Sequence, residues 1–360
     1  MNHKQKIYQA IERTGNGIIP FDVFEGWMWP EIARKSMQKV GAADFDEFLT
    51  KIHASCRWIT TPYKGPVLQP GAFDRIASPH TRYSLNASIW GLKPGLKEHG
   101  HGSKGHPLAL CETIRGVTAH PWPHPDWFDY ESIKEARNKY PENFLIFGGF
   151  SPIFYLIADL CGMEKALIDL MLNPSVIRAI IEKIEEFYSK YFTRVAKAGQ
   201  GILDGIAFGD DFASQSSTLL SPEQWRTYFK PVWRRLFAIA KKHNLKVFFH
   251  SCGAVSEVIP DLIDIGLDVL YPIQPLSDRM DIENLTKEFG SDLSFYGGFD
   301  VQNILPFGTP SDIEKEVTRI LSIVRRGYIM STSHVIMEDV PVENVLALYG
   351  ALYRNSMLRE

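Results

Sequence analysis

A histidine and a cysteine stand two residues apart where a β-rich stretch of the sequence ends. The stretch KVFFHSCGAV covers residues 246 to 255 and places His250 and Cys252 after a run of apolar residues. Side chains two positions apart in a strand point the same way, so an imidazole and a thiol would face one direction together. That arrangement suits two ligands of one metal ion. The alternative is a buried cysteine beside a histidine that hydrogen-bonds to a neighbouring strand.

Another histidine follows the last β-rich stretch, YIMSTSHVI, where His334 comes after three small residues. In a closed barrel the fifth and eighth strands lie across the mouth from one another. His250, Cys252 and His334 would then supply three protein ligands and leave one position open, as in a catalytic metal centre. One thiolate with two imidazoles favours zinc over magnesium or calcium. The alternative for His334 is a capped, partly exposed side chain at the start of a loop.

Acidic and amide side chains follow two other β-rich stretches. Asp210 and Asp211 end DGIAFGDD, and adjacent side chains in extended backbone point in opposite directions. One aspartate is therefore expected in the cavity as an acid, base, ligand or hydrogen-bond acceptor, and the other is expected to cap the following helix or to pair outside the cavity; the sequence leaves open which is which. Gln215 and Asp300 are further candidates for contacting a substrate, and Asp300 could instead hold its loop.

Two aromatic residues follow the first β-rich stretch. In EGWMWPEI, residues 25 to 32, Trp27 and Trp29 could form an apolar wall for an extended or aromatic ligand, and core packing explains them equally well. Three other histidines, His99, His101 and His106, stand among glycine, lysine and serine, which is typical of a solvated loop.

Eight β-rich stretches alternate with segments of helical periodicity. They are apolar without strict alternation, which indicates a parallel sheet covered by helices, and eight strands close a (β/α)₈ TIM barrel of the α/β class. An open doubly wound sheet is the rival, but no stretch runs into a G-x-G-x-x-G turn. The predicted strands cover residues 18 to 24, 57 to 60, 143 to 150, 204 to 210, 246 to 252, 268 to 273, 292 to 298 and 327 to 333.

The sequence predicts one domain over residues 1 to 360. Helices are expected over 174 to 198, with Pro174 at the start and Gly199 after the end, over 221 to 244, with Ser221 as N-cap, and over 310 to 327. Residues 61 to 142 interrupt the strand and helix pattern with many prolines and glycines. We expect this segment to be a lid or excursion over the C-terminal mouth of the barrel.

Composition narrows the range of partners. The net charge is −3 and the basic residues are scattered, so no basic stripe favours nucleic acid, and a small-molecule or protein partner is expected. No apolar run approaches the roughly 20 residues of a membrane span, and the start MNHKQKIYQAIERTG is charged, so we expect a cytoplasmic protein with no membrane contact. Four cysteines without a CxxC pair predict free thiols. The sequence does not determine the oligomeric state, and a homodimer is one possible form.

With these motifs in view, the chain resembles the uroporphyrinogen decarboxylase superfamily, which includes cobalamin-dependent methyltransferases. The resemblance is strongest in GDDFASQSSTLLSPEQWRTYFKPVWRRL, KVFFHSCGAVSEVIPDLIDIGLDVLYPIQP, GGFDVQNILPFGTP and the tail from YIMSTSHVIMEDVPVENV. It implies a (β/α)₈ barrel. True decarboxylases carry an arginine-rich segment after the first strand, where this chain has PFDVFEGWMWPEI, and Ala158 falls where they have a tyrosine. Their late-strand histidine matches His334.

The methyltransferase branch is the closer resemblance. Its zinc motif is His-x-Cys followed far downstream by another cysteine, so His250 and Cys252 reproduce the first half and His334 falls on the second. The resemblance implies a zinc-dependent methyltransferase that moves a methyl group between a small methyl ether, amine or thiol and cobalamin on a separate corrinoid protein. One alternative is a metal-free decarboxylase of a porphyrinogen or another carboxylated ring, with His334 and one of Asp210 and Asp211 as catalytic residues. The other is a binding barrel without catalysis.

Overall fold

A computed structural model describes residues 1–15, 17–66, 89–92, 105–148 and 150–357. This part of the chain holds seven regular β-strands, and each is parallel to the next in the order of the sequence. The strands are β1 Cys56–Ile59, β2 Phe144–Gly148, β3 Gly205–Gly209, β4 Lys246–His250, β5 Val269–Ile273, β6 Ser294–Phe299 and β7 Tyr328–Thr332.

The first predicted strand occupies the eighth position without forming a regular ladder. The Asp22 N–H donates to the Met330 carbonyl of β7 at 3.0 Å, and the Phe21 carbonyl accepts from the Ser55 N–H, just before β1, at 3.0 Å. A single parallel bridge joins Phe21 to Met330. Pro20 has no N–H to donate, which limits the pairing at this edge. The segment therefore lies between β7 and β1 and completes the barrel that the eight β-rich stretches predict.

Helices surround the sheet. The second predicted helix forms in two pieces, because the chain breaks at Phe229 ahead of Pro231, whose ring disfavours a continuous helix. The first and third agree with the prediction to within a few residues. The helices are His3–Glu12, Pro30–Val40, Phe45–Lys51, Ile114–Ala119, Ala136–Lys139, Phe154–Cys161, Met163–Leu172, Pro174–Ala198, Pro222–Tyr228, Lys230–Lys242, Ile259–Asp264, Ile282–Phe289, Ile304–Phe307, Pro310–Ile323 and Val342–Met357.

Two apolar cores stabilise the barrel. The larger lies between the sheet and the surrounding helices, and the smaller fills the inside of the barrel with side chains from the strands. The helix His3–Glu12 contributes Ile7, Ala10 and Ile11 to the inner core and so covers one end. Because all the strands are parallel, their C-terminal ends meet at the opposite end, which is where barrel enzymes bind their substrates.

The excursion predicted over residues 61 to 142 is described in part. Residues 67–88 and 93–104, with His99 and His101, lie outside the described residues. In the described remainder, Trp90 and Phe128 pack their rings against Phe187 on the long helix Pro174–Ala198. His106 Nδ1 lies 2.7 Å from the Asp159 carbonyl. The assignment of the segment as a lid stays a prediction.

Within the described residues, no helix combines the length and the hydrophobicity that crossing a membrane requires.

Candidate metal centre at the barrel mouth

Three side chains with metal-binding atoms converge at the C-terminal ends of β3 and β4. His250 Nε2 lies 3.5 Å from Cys252 Sγ and 3.6 Å from Asp211 Oδ1. One ligand atom from each of the three residues lies within 4.8 Å of the other two. The imidazole is 2% exposed, whereas the carboxylate is 29% exposed. The group is therefore buried on one side and open toward the mouth on the other.

The local backbone explains how β4 presents the histidine. His250 is the last residue of β4 and pairs with Gly209 on β3. A Cβ atom at position 209 would lie 2.7 Å from the His250 Cβ, so only glycine leaves room for the imidazole beside it. Gly209 thus belongs to the construction of the site, although glycine itself offers no ligand.

The loop after β4 holds the cysteine from two directions. The Gly253 N–H donates to Gln274 Oε1 at 2.7 Å, and Gln274 Nε2 lies 3.5 Å from Cys252 Sγ. Gly253 has φ 86° and packs so closely that a Cβ would lie 2.4 Å from the Ser214 carbonyl oxygen. Both constraints require glycine after the cysteine, which gives the Cys-Gly pair of the motif a physical reason.

The adjacent aspartates divide into two roles. Asp210 is fully buried, and its two carboxylate oxygens accept the backbone N–H groups of Phe154 and Tyr155 at 2.8 and 3.0 Å. It therefore caps the helix Phe154–Cys161, which has no side-chain cap of its own. This helix precedes β3 in the chain, whereas the sequence predicts a cap on the following helix. Asp211 points the other way, and its Oδ1 accepts the Cys252 N–H at 2.9 Å.

His334 does not belong to the compact group that the described residues form. Its ring stacks on Phe24, with 5.4 Å between the ring centroids, and the Phe24 ring meets that of His250 edge-on at 5.9 Å. Phe24 thus contacts both imidazoles. The sequence prediction pairs His334 with His250 and Cys252, whereas the structure brings Asp211 to them.

A buried glutamate that the sequence analysis did not single out faces the other side of the imidazole. Glu25 Oε1 lies 3.3 Å from His250 Nδ1 and accepts the Tyr271 hydroxyl at 3.1 Å. Glu25 is 2% exposed. The only signal in the sequence is an acidic residue followed by glycine at the end of the first β-rich stretch. This signal does not indicate which strand the Glu25 side chain faces.

Burial and neighbouring charges shift the pKa values of His250 and Cys252. Burial acts to lower the pKa of His250, but Cys252, Glu25 and Asp211 outweigh it and hold the pKa well above its usual value. Burial raises the pKa of the Cys252 thiol, and the negative charge of Asp211 adds to that effect. Without a cation, the site therefore favours protons on both groups. A divalent cation bound at the three ligand atoms would displace such protons.

The sequence also predicts four residues that contact a substrate: Trp27, Trp29, Gln215 and Asp300. Trp27 is half-buried and packs against the inner barrel core, while Trp29 packs against the outer core and donates from Nε1 to Glu338 Oε2 at 3.0 Å. Gln215 is exposed and accepts the Ser277 hydroxyl at 3.2 Å. Asp300 accepts the N–H groups of the three residues 302 to 304, at 2.7 to 3.3 Å, and so holds the loop after β6.

Fold and site together define a parallel β/α barrel with a cluster of candidate metal ligands at the C-terminal ends of its strands. The model of the uroporphyrinogen decarboxylase (URO-D) family matches residues 127–354, and the chain belongs to that family. This confirms the superfamily that the motifs indicate. The matched region contains β2 to β7 and the three converging side chains, whereas the segment with Glu25 and Trp27 precedes it.

Curated relatives include both branches of the family. A methylated-thiol--coenzyme M methyltransferase of Methanosarcina mazei is 26% identical over 61% of this chain and 56% of its own length. The methylcobamide:CoM methyltransferase MtaA of Methanosarcina barkeri is 23% identical over 61% of each. A uroporphyrinogen decarboxylase of Geobacillus kaustophilus is 27% identical over 47% of this chain and 45% of its own length. The chain therefore spans about half to three fifths of the length of these relatives.

A solved structure supports the fold over the whole chain. A methyltransferase from Methanosarcina mazei superposes with a TM-score of 0.62 and 18% identity, covering 99% of both chains. At this identity the likeness shows the fold alone. It confirms the predicted α/β barrel.

Proposed function

We propose that this chain is a zinc-dependent methyltransferase. It moves a methyl group between a small methyl ether, amine or thiol and the cobalt of a corrinoid carried by a partner protein. The observation that carries the proposal is the convergence of Asp211, His250 and Cys252 at the barrel mouth. The names of the two methyltransferase relatives support the reaction class, and one of those names specifies a methylcobamide.

The donor set fits zinc. A thiolate, an imidazole and a carboxylate are common zinc ligands, and three protein ligands with an open position are typical of catalytic sites. Sulfur among the donors disfavours magnesium and calcium. We propose Asp211, His250 and Cys252 as the ligands. Bound zinc would supply Lewis acidity toward the heteroatom that carries or accepts the methyl group.

The other residues of the mouth would then bind and shield the substrate. Phe150 meets the His250 ring edge-on at 5.5 Å, and Phe24 lies between the two imidazoles. These rings would exclude water from the reacting methyl group. In this proposal His334 acts on the substrate, through its ring nitrogens, rather than on the metal. Trp27 would extend the apolar wall, and the corrinoid protein would dock at the mouth.

Porphyrinogen decarboxylation is the second candidate, because two relatives named uroporphyrinogen decarboxylase match about half of this chain. The observation against it is electrostatic. The stretch PFDVFEGWMWPEI contains no arginine; the mouth carries the Asp211 carboxylate instead, and the Glu25 carboxylate is buried against His250. A substrate with several carboxylates would be repelled there unless guanidinium groups offset the charge.

A cobalamin absorption assay on the zinc-loaded protein tests the proposal. Cob(I)alamin would be mixed with methoxylated aromatics, methylamines and methyl thioethers, and methylcobalamin with thiols. Conversion between the two cobalamin spectra that depends on the protein and on one substrate class is expected. A protein that holds no zinc and decarboxylates uroporphyrinogen would establish the second candidate, and a protein inactive in both assays would favour a binding barrel.

A further inference from the structure

We infer that Glu25 is a positioning residue for the metal centre: it holds the His250 ring with Nδ1 protonated and Nε2 turned toward Asp211 and Cys252. The inference rests on the proposed function, since it assigns a role within the zinc site proposed there. It adds a residue from the segment before the region that matches the family model.

The two nitrogens of the imidazole face different partners. Nε2 faces the two other proposed ligands, at 3.5 Å from sulfur and 3.6 Å from the carboxylate oxygen. Nδ1 faces Glu25 Oε1 at 3.3 Å. Among the described residues, no group makes a hydrogen bond of good geometry to this buried Nδ1. A small rotation of the ring or the carboxylate would complete one with Glu25, which is the acceptor already beside it.

A neighbouring hydroxyl holds the carboxylate in place. The Tyr271 side chain, on β5, donates to the same Oε1 atom at 3.1 Å, and Tyr271 is fully buried. The Tyr271 ring also meets the His250 ring edge-on at 5.2 Å. Tyrosine, glutamate and histidine therefore form one buried group in which each member limits the movement of the next.

The backbone at Glu25 adopts a conformation that side chains rarely take. Its φ is 45°, and Gly26 follows with φ 71°. A Cβ at position 26 would lie 2.9 Å from the Trp58 ring, so the turn is packed tightly against β1. A backbone strained in this way persists only where the surrounding packing holds it in place. Such residues are concentrated at functional sites. Here the turn directs a carboxylate into the barrel interior.

The chemistry of histidine explains how the contact between Glu25 and His250 would affect metal binding. A neutral imidazole that binds a metal through Nε2 carries its proton on Nδ1, and a carboxylate that accepts this proton selects the tautomer and makes the ligand more basic. If Glu25 served only as part of a buried ion pair, its loss would change folding stability and leave metal affinity alone. The two roles therefore predict different measurements.

Zinc affinity, measured by competition with a chromogenic chelator, tests the inference in full-length protein. Glu25→Gln, which removes the charge and keeps the size, is expected to weaken zinc binding about 10- to 100-fold. Tyr271→Phe removes the hydroxyl that orients Glu25 and is expected to shift affinity in the same direction by less. Cobalt(II) in place of zinc should show an altered visible spectrum in Glu25→Gln, because the imidazole ligand is no longer held.

Asp22→Asn is the matched control. Asp22 is also a fully buried carboxylate of this segment, but it is bound by Cys56, Trp58 and Tyr296 rather than by the metal group. Its zinc affinity should equal that of the wild type. Zinc affinity and cobalt spectra unchanged in both Glu25→Gln and Tyr271→Phe would overturn the inference and leave the proposed function standing. A wild-type protein without stoichiometric zinc would overturn both.

Discussion

The Asp211 carboxylate accepts the backbone N–H of Cys252 at 2.9 Å, and so links the segment after β3 to the loop after β4. The two strands are hydrogen-bonded neighbours. The compact group of candidate metal ligands therefore forms between adjacent strands, not across the barrel.

Cys252→Ala should abolish stoichiometric zinc binding, because it removes the sulfur ligand and leaves only two of the three proposed donors. Metal analysis of the purified protein after dialysis measures this. Cys111→Ala is the control, since Cys111 packs against the larger core and its Sγ donates to the Thr113 carbonyl. Equal zinc content in the wild type and Cys252→Ala would contradict the proposed centre.

Asp211→Asn and His334→Asn distinguish the two candidates for the third ligand. We expect Asp211→Asn to weaken zinc binding by at least about tenfold, or about 1.4 kcal/mol, while His334→Asn stays near the wild-type affinity. The asparagine oxygen can still accept the Cys252 N–H, so the loop should keep its shape. The reverse order of affinities, measured by chelator competition, would restore His334 as the ligand that the sequence predicts.

Asp210→Ala should lower the free energy of unfolding by about 1–3 kcal/mol, because two buried N–H groups at a helix start lose their acceptor. Urea denaturation measures the loss. Zinc affinity should remain, since the Asp210 carboxylate points away from the metal group. A variant that loses zinc at unchanged stability would instead give Asp210 a direct role at the centre.

Asp22 should make stability depend on pH. Burial raises its pKa from 3.8 to about 6, against the hydrogen bonds that lower it. The folded state therefore binds the proton more tightly than the unfolded state. As pH rises from about 4 to above 6, this group lowers the free energy of unfolding by about 3 kcal/mol, and below pH 4 it has no effect.

Asp22→Asn carries no such penalty at any pH. Its stability relative to the wild type should therefore improve between pH 5 and pH 8, as measured by urea denaturation at both values. A constant difference between the two proteins across that range would show that Asp22 has an ordinary pKa in the folded state.

Trp27→Leu should raise KM for the methyl substrate about tenfold, or about 1.4 kcal/mol, with kcat less affected, because the ring belongs to the proposed apolar wall. Trp29→Leu is the matched control: that ring packs on the outer core and bonds Glu338. Steady-state kinetics in the cobalamin assay measures both. Equal changes in KM for the two variants would remove Trp27 from the substrate wall.

Local patterns predict much of this architecture. The eight β-rich stretches correspond to seven strands and the bridging segment at Phe21, and the period of two puts His250 and Cys252 on the same side. Adjacent aspartates also point in different directions, as the sequence predicts, with Asp211 at the mouth, but Asp210 holds the start of the preceding helix Phe154–Cys161 rather than the following one. The strand positions depend on backbone periodicity, which a linear sequence records. Asp210, Asp211 and Cys252 lie just beyond strand ends and are held in place by hydrogen bonds with other elements.

The tertiary structure alone decides which distant residues meet. Strand periodicity does not record how a side chain beyond a strand end turns, so His334 could be matched to a ligand position by motif although its ring packs on Phe24. Likewise, nothing local links Glu25 to His250, 225 positions later, because their contact follows from barrel closure and a left-handed turn. The sequence by itself determined the fold and the His-x-Cys pair; packing at the mouth decided which carboxylates face them, because side-chain direction outside regular strands depends on neighbours from other elements.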